Sequence, residues 1–421
     1  MFQVVTLAKV EKTTIIRLMI SRKLSLIDSL AGGLSTFLFG PRGTGKSKLS
    51  KDYLQGRRED GARTLDIDLL SLANQARYRT NPGLFKSDVL YQLSLGPEPV
   101  VVLVDEVQKM PELLDEVHAL LEEAPKRIQF ILTGSSARKL KRGGANLLAG
   151  RALSLELHPI SALELEIHLE RALQYGTLPR FYLDSVGTSG LLSSYVETYL
   201  KEEIQGERLV RKLEPFHRFL SVAAQMNGKQ IKFSAIGREV GISDQTVRDY
   251  FSILVDTLLA FELPAWNRSV RAQLQQMPRF FFFDCGVLNA ILGEQLAEVR
   301  AGTRRYGALF ENFVITEFFR QRSYLKTQRA FYSWRTAAGV EVDLIIDRGL
   351  HKPPIAIEVK SKEIIEERDL VELQEFAREN EHARLFCISR AARPMKIHNV
   401  EILPWQTGIT EILTLAARVD D

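Results

Sequence analysis

Cysteine is nearly absent from this chain of 421 residues, which contains only Cys285 and Cys387. Two distant cysteines without neighbouring metal ligands support neither a disulfide framework nor a zinc site, so a reducing environment is expected. Charges interrupt the apolar residues at the amino terminus before a signal peptide or a membrane span can form. Repeats and low-complexity tracts are also lacking. These absences predict a soluble, cytoplasmic protein that has no membrane partner.

A strong excess of one charge is also lacking. Lysine and arginine number 56, aspartate and glutamate number 52, and the net charge is +4. Such a mildly basic chain permits contact with nucleic acid but does not argue for it. Hydrophobic residues make up 45% of the chain, which is too apolar for a disordered protein. The length exceeds what one hydrophobic core usually supports, so we expect more than one domain.

Short apolar runs alternate with helical patterns from about residue 35 onwards. The runs STFLF, TLDID, VVVLV, IQFIL and ALSLEL each end near polar residues. This rhythm is typical of a parallel sheet flanked by helices, and it predicts an α/β fold. The pattern becomes helical from about residue 160, and strand-like runs return in the last third. We predict four units, which span residues 1–160, 161–210, 211–275 and 276–421.

A phosphate-binding loop is the clearest motif in the sequence. The pattern G-x-x-x-x-G-K-[ST] lies between an apolar strand and a predicted helix, which is the context that the motif requires. Glycines let backbone amides turn towards phosphates, and the helix amino terminus adds positive potential. We expect Lys46 to reach the β and γ phosphates and Ser47 to hold magnesium. The predicted nucleotide-binding residues are Gly40, Pro41, Arg42, Gly43, Thr44, Gly45, Lys46, Ser47 and Lys48.

Two adjacent carboxylates, Asp105 and Glu106, end the apolar run VVVLV. Burying charge without a partner is costly, so paired acids at the end of a buried strand favour a functional role over a structural one. We expect Asp105 to contact the magnesium shell and Glu106 to polarise the attacking water. Together with the phosphate-binding loop, this pair predicts hydrolysis of ATP with Mg²⁺.

Three further residues are candidates for the same site. Thr133 and Ser135 follow the next apolar run, where a hydroxyl can sense the γ phosphate or hold the water. A simple strand end explains these two residues equally well. Arg151 is a candidate for stabilising phosphate charge in its own or a neighbouring subunit. The alternative for Arg151 is a solvated arginine before a strand.

With these motifs in hand, the first 205 residues resemble AAA-type ATPases of the P-loop class. The segments GPRGTGKS, VDEVQKMPEL, LTGSSARKL, LAGRALSLELHPIS and GTLPRFY are similar to a bacterial and archaeal family of such ATPases. In that family the ATPase core precedes a carboxyl-terminal domain of uncharacterised function. Many members have a different residue pair before the lysine of the loop, whereas Thr44 and Gly45 keep the motif intact here. The resemblance implies an AAA-type core over residues 1–160, and the helical pattern that follows predicts a lid or bridge over residues 161–210.

The segment around Gly241 resembles a helix-turn-helix with a following wing. Gly241 supplies the sharp turn, and Ser243 can cap the next helix. In a complex with DNA, the second helix would present Asp244, Gln245, Arg248 and also Asp249. Acidic residues are unfavourable beside phosphates, so a winged helix that only packs against protein is an equal alternative.

Four residues of the last third resemble the site of the PD-(D/E)XK nuclease fold. Glu311 lies on a predicted helix, Asp343 on a strand, and Glu358 and Lys360 on the next strand. Asp343 and Glu358 would ligate a divalent ion, Lys360 would orient or activate water, and Glu311 would complete the acidic cluster. Such folds are also retained as inactive binding domains, and that alternative stays open.

The combined expectation is a cytoplasmic ATPase whose nucleotide state controls a winged-helix and nuclease-like carboxyl-terminal half. This half would act on DNA or on an unidentified protein partner. One alternative is an ATP-gated, metal-dependent DNA endonuclease. Another is a nucleotide-dependent switch or scaffold without nuclease activity. AAA-type cores often form rings, but no residue here establishes an oligomer.

Overall fold

The computed structural model contains two large β-sheets and one two-stranded sheet, each packed against helices. The residues that it describes are 20–30, 33–136, 148, 150–184, 187–199, 213–267, 277–349 and 352–418. In this described part of the chain, no helix is long and apolar enough to cross a membrane.

The amino-terminal part has a five-stranded sheet in which all neighbouring strands are parallel. Its elements are α1 (Leu26–Ser29), β1 (Ser35–Phe39), α2 (Lys46–Glu59), β2 (Arg63–Asp68), α3 (Leu72–Thr80), α4 (Gly83–Ser94), β3 (Val100–Asp105), α5 (Leu113–Glu123), β4 (Ile128–Gly134) and β5 (Ala152–Glu156). The strand order is β2-β3-β4-β1-β5. Because helices cover both faces, β1, β3 and β4 are buried along their whole length. The predicted α/β fold with a parallel sheet is confirmed.

The middle part is mainly helical. Its elements are α6 (Leu169–Tyr175), α7 (Pro179–Leu183), α8 (Thr188–Ser194), a π-helical turn (Tyr195–Tyr199), α9 (Leu213–Gln225), α10 (Phe233–Val240), α11 (Asp244–Asp256), β6 (Ala260–Leu263) and β7 (Arg279–Phe282). Strands β6 and β7 pair antiparallel. Gly241 ends α10, and the Ser243 hydroxyl accepts a hydrogen bond from the amide of Thr246 in α11, so the predicted turn and cap are present. Residues 200–210 of the predicted lid lie outside the described residues.

The carboxyl-terminal part is a mixed six-stranded sheet with helices on both sides. Its elements are α12 (Cys285–Ile291), α13 (Arg304–Tyr324), β8 (Ala330–Arg335), β9 (Glu341–Asp347), β10 (Ile355–Lys360), α14 (Val371–Glu379), β11 (Arg384–Ser389), β12 (Met395–Ile397), β13 (Val400–Pro404) and α15 (Trp405–Ala417). The strand order is β12-β13-β11-β10-β9-β8. β11 runs parallel to both of its neighbours, and the other pairs are antiparallel.

One hydrophobic core joins the middle and carboxyl-terminal parts. The cluster of buried side chains that forms it runs from Ile160 to Ala416 and includes residues of α6, α9, α11, β7, α13 and β10. Two separate clusters cover the two faces of the first sheet. A small cluster of Leu24, Leu38, Leu157 and Tyr324 connects the first sheet with the end of α13. The segments predicted as residues 161–210, 211–275 and 276–421 therefore share one interior, and the four-unit division stays a prediction.

Candidate functional site

The loop between β1 and α2 is shaped by glycine at two positions. A Cβ atom at Gly40 would lie 2.2 Å from the carbonyl oxygen of Leu157, which no side chain can accommodate. Gly45 caps α2 with a φ of 97°, a left-handed conformation that favours glycine. The loop can therefore pass close to the segment after β5 and present the amino terminus of α2.

Lys46 lies inside this loop and is only 5% exposed. Its ammonium group donates hydrogen bonds to the carbonyl oxygens of Gly40 at 2.6 Å and Pro41 at 3.2 Å. The Thr44 hydroxyl also donates to the Pro41 carbonyl, at 2.9 Å. The loop thus encloses a lysine cation at the amino terminus of α2, an arrangement suited to phosphate.

The neighbouring predicted residues differ in exposure. Ser47 is half-buried at the start of α2, while Arg42 and Gly43 are exposed. Lys48, which we predicted among the nucleotide-binding residues, is exposed and pairs with Asp52 one helical turn away, at 2.8 Å. The Lys48 side chain is therefore directed along the outer face of α2, and the structure does not support its predicted contact with phosphate.

The carboxyl ends of β3 and β4 bring the two acids and two hydroxyls together. Asp105 is buried, and its carboxylate accepts a hydrogen bond from the Thr133 hydroxyl. The same hydroxyl oxygen accepts a hydrogen bond from the amide of Glu106, at 3.1 Å. The Gln108 side-chain amide donates to the Glu106 carboxylate and, at 3.1 Å, to the hydroxyl of Ser135. Since all strands are parallel, this network and the phosphate-binding loop occupy the same edge of the sheet.

Gln108 is a member of this network that our sequence analysis missed. It is 2% exposed and lies on a short 3₁₀ turn directly after the acid pair. Its spacing of two residues from Glu106 in VDEVQKM is the only sequence signal for it. The geometry indicates that Gln108 fixes the orientation of the Glu106 carboxylate.

Arg151 lies at the opposite edge of the first sheet. Ala152, the next residue, pairs with Ser35 at the start of β1, whereas the phosphate-binding loop follows Phe39 at the end. The strand separates the two positions by about 13 Å, at roughly 3.3 Å per residue. The Arg151 guanidinium pairs with Glu122 at 2.9 Å. The structure therefore places Arg151 away from the phosphate-binding loop of its own subunit, and its role at the phosphates stays a prediction.

Two side chains from outside the first sheet contact the phosphate-binding loop. Arg22 donates to the carbonyl oxygens of Thr44 at 2.5 Å and His158 at 2.6 Å, and to the Tyr324 hydroxyl at 3.3 Å. The Tyr324 hydroxyl, at the end of α13, also accepts a hydrogen bond from the His158 amide at 3.1 Å. The Tyr195 hydroxyl donates to the carbonyl oxygen of Arg42 at 3.0 Å. The loop therefore touches the middle part directly and α13 through Arg22.

A buried ion pair holds α13 to the segment after β5. Glu317 accepts hydrogen bonds from the Ser161 hydroxyl at 2.9 Å and the Ala162 amide at 3.0 Å. Arg320 pairs with Glu317 at 2.9 Å and donates to the Thr177 hydroxyl, also at 2.9 Å. Both charged side chains are at most 2% exposed. Removing one partner of such a pair typically costs about 3–5 kcal/mol, so this contact is rigid.

The four residues predicted from the nuclease-like pattern also come together. Glu311 lies on α13, Asp343 on β9, and Glu358 and Lys360 on β10. Leu344 pairs with Ile357 between antiparallel strands, which places Asp343 across from Glu358. The Asp343 carboxylate accepts a hydrogen bond from the Val359 amide at 2.9 Å.

Two cations lie among these carboxylates. Arg279 of β7 donates to Glu311 and, at 3.4 Å, to Asp343. Lys360 pairs with Glu358 at 2.8 Å and lies 3.9 Å from Glu372 of α14. In the part of the chain that the structure describes, no group of three or more His, Cys, Asp or Glu residues could hold a metal ion. Arg279 and Lys360 each engage one oxygen of Asp343 and Glu358, and ligation of a metal ion by these two acids stays a prediction.

Burial perturbs the titration of this cluster. Burial raises the pKa of Glu311 to about 8, although Arg279 acts against the shift. Burial and the nearby Asp343 also raise the pKa of Glu358 well above its ordinary value. Burial lowers the pKa of Lys360, but Glu358 and Glu372 outweigh it and raise the pKa overall. The raised pKa values of Glu311 and Glu358 show that the two cations only partly offset the burial and mutual repulsion of these carboxylates.

Helix α11, the second helix of the predicted helix-turn-helix, presents acids to solvent. Asp244 and Asp249 are exposed, and Gln245 donates a hydrogen bond to Asp249 at 3.1 Å. The guanidinium carbon of Arg248 lies 4.1 Å from the centre of the Phe233 ring. Arg248 is exposed and rests against the Phe233 ring, on a helix that also exposes two acids.

Comparison with known proteins supports the ATPase part of this description. Residues 34–166 match the family described as an AAA domain. Residues 166–298 match a domain of unknown function, DUF8612, and residues 306–407 match another, DUF4143. The matched region and the site define the class: residues 34–166 correspond to an AAA-type P-loop ATPase core.

Full-length relatives extend the similarity beyond this core. Uncharacterised proteins of Mycobacterium tuberculosis and Mycobacterium bovis are each 24% identical over 332 residues, which cover 77% of this chain and 69% of theirs. An uncharacterised protein of Haemophilus influenzae is 22% identical over 307 residues, which cover 67% of this chain and 73% of its own.

Two of the solved structures that resemble part of this chain are a RuvB variant and a DnaA. A Thermotoga maritima RuvB variant aligns with a TM-score of 0.29 and 13% identity, covering 58% of this chain and 87% of its own. Aquifex aeolicus DnaA bound to AMPPCP aligns with a TM-score of 0.29 and 14% identity, covering 54% and 84%. These scores are too low to support an argument about function.

Proposed function

We propose that this protein binds ATP with Mg²⁺, hydrolyses the β–γ bond, and uses its nucleotide state to control the middle and carboxyl-terminal parts. The observation that carries the proposal is the contact of Arg22 with both the phosphate-binding loop and α13. The hydrolytic part of the proposal is supported by the AAA-domain match and by the paired acids beside the loop.

The residues of the site fit Mg²⁺–ATP. In the proposal, Lys46 exchanges its contacts with loop carbonyls for the β and γ phosphates, which offer stronger, charge-assisted hydrogen bonds. Ser47 and Asp105 would hold Mg²⁺, since hydroxyl and carboxylate oxygens are ligands that this ion prefers. Glu106, oriented by Gln108, would polarise the attacking water.

The hydroxyl of Thr133 connects the two acids in this scheme. It donates to Asp105 and accepts from the amide of Glu106, so one side chain sets the position of both. This contact favours a positioning role for Thr133 over a simple strand end. Ser135 is connected to Glu106 through Gln108, from which the Ser135 hydroxyl accepts a hydrogen bond.

The control of the remaining parts would pass through α13. This helix has 21 residues and therefore spans about 30 Å. Near its end, Tyr324 contacts Arg22 and packs with Leu38 of β1, directly before the loop. Glu311 of the acidic cluster lies on the same helix. A change in the loop on nucleotide binding would thus reach a rigid element that extends to the acidic cluster.

The target of this control is proposed to be a protein partner. The exposed acids of α11 are unfavourable beside DNA phosphates, and the arginine on that helix packs on Phe233. DNA is the alternative target, and ATP turnover measured with and without DNA distinguishes the two.

The decisive experiment measures ATP affinity and turnover of the full-length protein, with and without DNA. Lys46→Ala is expected to weaken binding of a fluorescent ATP analogue and to abolish turnover. Lys51→Ala, which removes an exposed lysine from the same helix, is the matched control and should behave like wild type. Unchanged ATP binding by Lys46→Ala would refute the site.

Turnover and DNA dependence separate the remaining possibilities. If wild type binds ATP but turns over no faster than Glu106→Gln, the protein is a nucleotide-dependent switch and not a hydrolase. If DNA accelerates turnover, DNA replaces the protein partner as the proposed target.

A further inference from the structure

We propose that Arg279 takes the place of a divalent cation in the acidic cluster, so that the carboxyl-terminal domain holds an internal guanidinium where a nuclease-like fold would hold metal. The acidic cluster consists of Glu311, Asp343, Glu358 and Glu372, with Lys360 among them. This inference goes beyond ATP hydrolysis and does not depend on it.

Contacts on every side fix the orientation of the Arg279 guanidinium. One terminal nitrogen donates to Glu311, and the other lies 3.4 Å from an Asp343 oxygen. Its Nε donates to the carbonyl oxygen of Gly228 at 2.5 Å, and the group lies 5.0 Å from the centre of the Phe281 ring. The side chain is only 5% exposed. Arg279 is therefore a built-in ligand of the cluster and not a surface ion pair.

An unused oxygen indicates that the cluster can bind more than Arg279. Glu358 is 5% exposed, and its Oε2 is buried without a hydrogen-bond partner among the described residues. The same residue lies across from Asp343 in the sheet. A buried acceptor without a partner is costly, and it points to a site with capacity for a cation.

Charge explains why Arg279 occupies this place. The cluster has four carboxylates, two of which pair with Lys360, and a buried group of acids is stable only with further positive charge or bound protons. Arg279 supplies positive charge from β7 of the same chain, so its effective concentration at the cluster is high. A divalent ion must displace this tethered guanidinium to reach the oxygens of Glu311 and Asp343.

The test uses titration calorimetry to measure Mn²⁺ binding to the full-length protein without nucleotide. Arg279→Met removes the guanidinium and keeps an apolar side chain. It is expected to gain a Mn²⁺ site at least roughly tenfold tighter than any site in wild type, a difference of about 1.4 kcal/mol. Adding Asp343→Asn should remove the gained site, and Asp343→Asn alone should leave wild-type binding unchanged.

Two further variants keep the test decisive. Arg279→Gln with Glu311→Gln removes both charges of the ion pair, so it avoids an unpaired buried charge if Arg279→Met fails to fold. It should bind Mn²⁺ more tightly than Glu311→Gln alone. Arg384→Met is the matched control, because Arg384 pairs with Glu401 in the same sheet but at the surface. This control should gain no site.

Two results overturn the proposal. The first is Mn²⁺ binding by wild type that Asp343→Asn abolishes, since the cluster would then hold metal with Arg279 present. The second is the absence of any gained site in both folded variants that lack Arg279.

Discussion

The Tyr324 hydroxyl adds a second polar connection between α13 and the segment after β5, beside the one made by Glu317 and Arg320. In Tyr324→Phe the ring stays, so its packing with Leu38 and its contact with the His158 ring, 5.5 Å between centres, are kept. The change removes only the oxygen that accepts hydrogen bonds from Arg22 at 3.3 Å and from the His158 amide at 3.1 Å. It therefore tests the polar connection alone.

The expected loss follows from the burial of the His158 amide. His158 is 2% exposed, and an unsatisfied buried donor costs about 1–3 kcal/mol. Arg22 keeps its contacts with Thr44, His158 and Glu164, so the loss of its hydrogen bond to Tyr324 adds little to this cost. A local opening that is easier by about 1–3 kcal/mol corresponds to amide exchange roughly 5- to 150-fold faster.

Hydrogen exchange followed by mass spectrometry measures this change directly. Peptides that contain His158 should exchange faster in Tyr324→Phe, and a change of exchange in α13 on addition of an ATP analogue should become smaller. The matched control is Tyr332→Phe, because the Tyr332 hydroxyl makes no hydrogen bond to the described residues. Equal exchange at His158 in wild type and Tyr324→Phe would show that this hydroxyl does not hold the contact.

Two further predictions concern the ends of β4 and β5. Thr133→Val is nearly isosteric but removes the hydroxyl between Asp105 and Glu106, so kcat for ATP should fall roughly 10- to 100-fold with nucleotide affinity little changed; steady-state turnover at wild-type level would contradict this role. Burial and nearby arginines lower the pKa of His158 to about 3, so the unfolded chain binds the extra proton below pH ~6.5 and the folded chain does not. The stability that this residue contributes is complete above pH ~6.5 and falls by about 1.4 kcal/mol per pH unit towards pH 3. The thermal-unfolding midpoint of His158→Phe should therefore depend less on pH over that range than the midpoint of wild type. Parallel plots of midpoint against pH for the two proteins would refute this prediction.

Features that depend on neighbours in sequence could be predicted. The strand before the phosphate-binding loop, the helix from Lys46, and the turn at Gly241 each have a local cause in glycine, apolar runs or capping residues. Lys48 shows where this reasoning ends. It belongs to the motif region, but the helical rotation of α2 directs it towards Asp52.

Features that depend on distant residues could not be predicted. Arg22 is 142 residues from Glu164, and Arg279 is 64 residues from Asp343. An arginine outside any motif gives no sign that it will be buried against carboxylates. The structure brings the residues of the nuclease-like pattern together, Lys360 included, but Arg279, which lies outside the pattern, also pairs with two of the acids.

The continuous core from Ile160 to Ala416 restricts how nucleotide could act on the rest of the chain. Its helices and strands interlock, so the middle and carboxyl-terminal parts cannot swing independently without opening that interior to water. Motion driven by nucleotide would instead displace the two parts together, as one rigid body that rotates relative to the first sheet. The small cluster of Leu24, Leu38, Leu157 and Tyr324 joins the first sheet to α13, so it is the place where such a rotation would be centred.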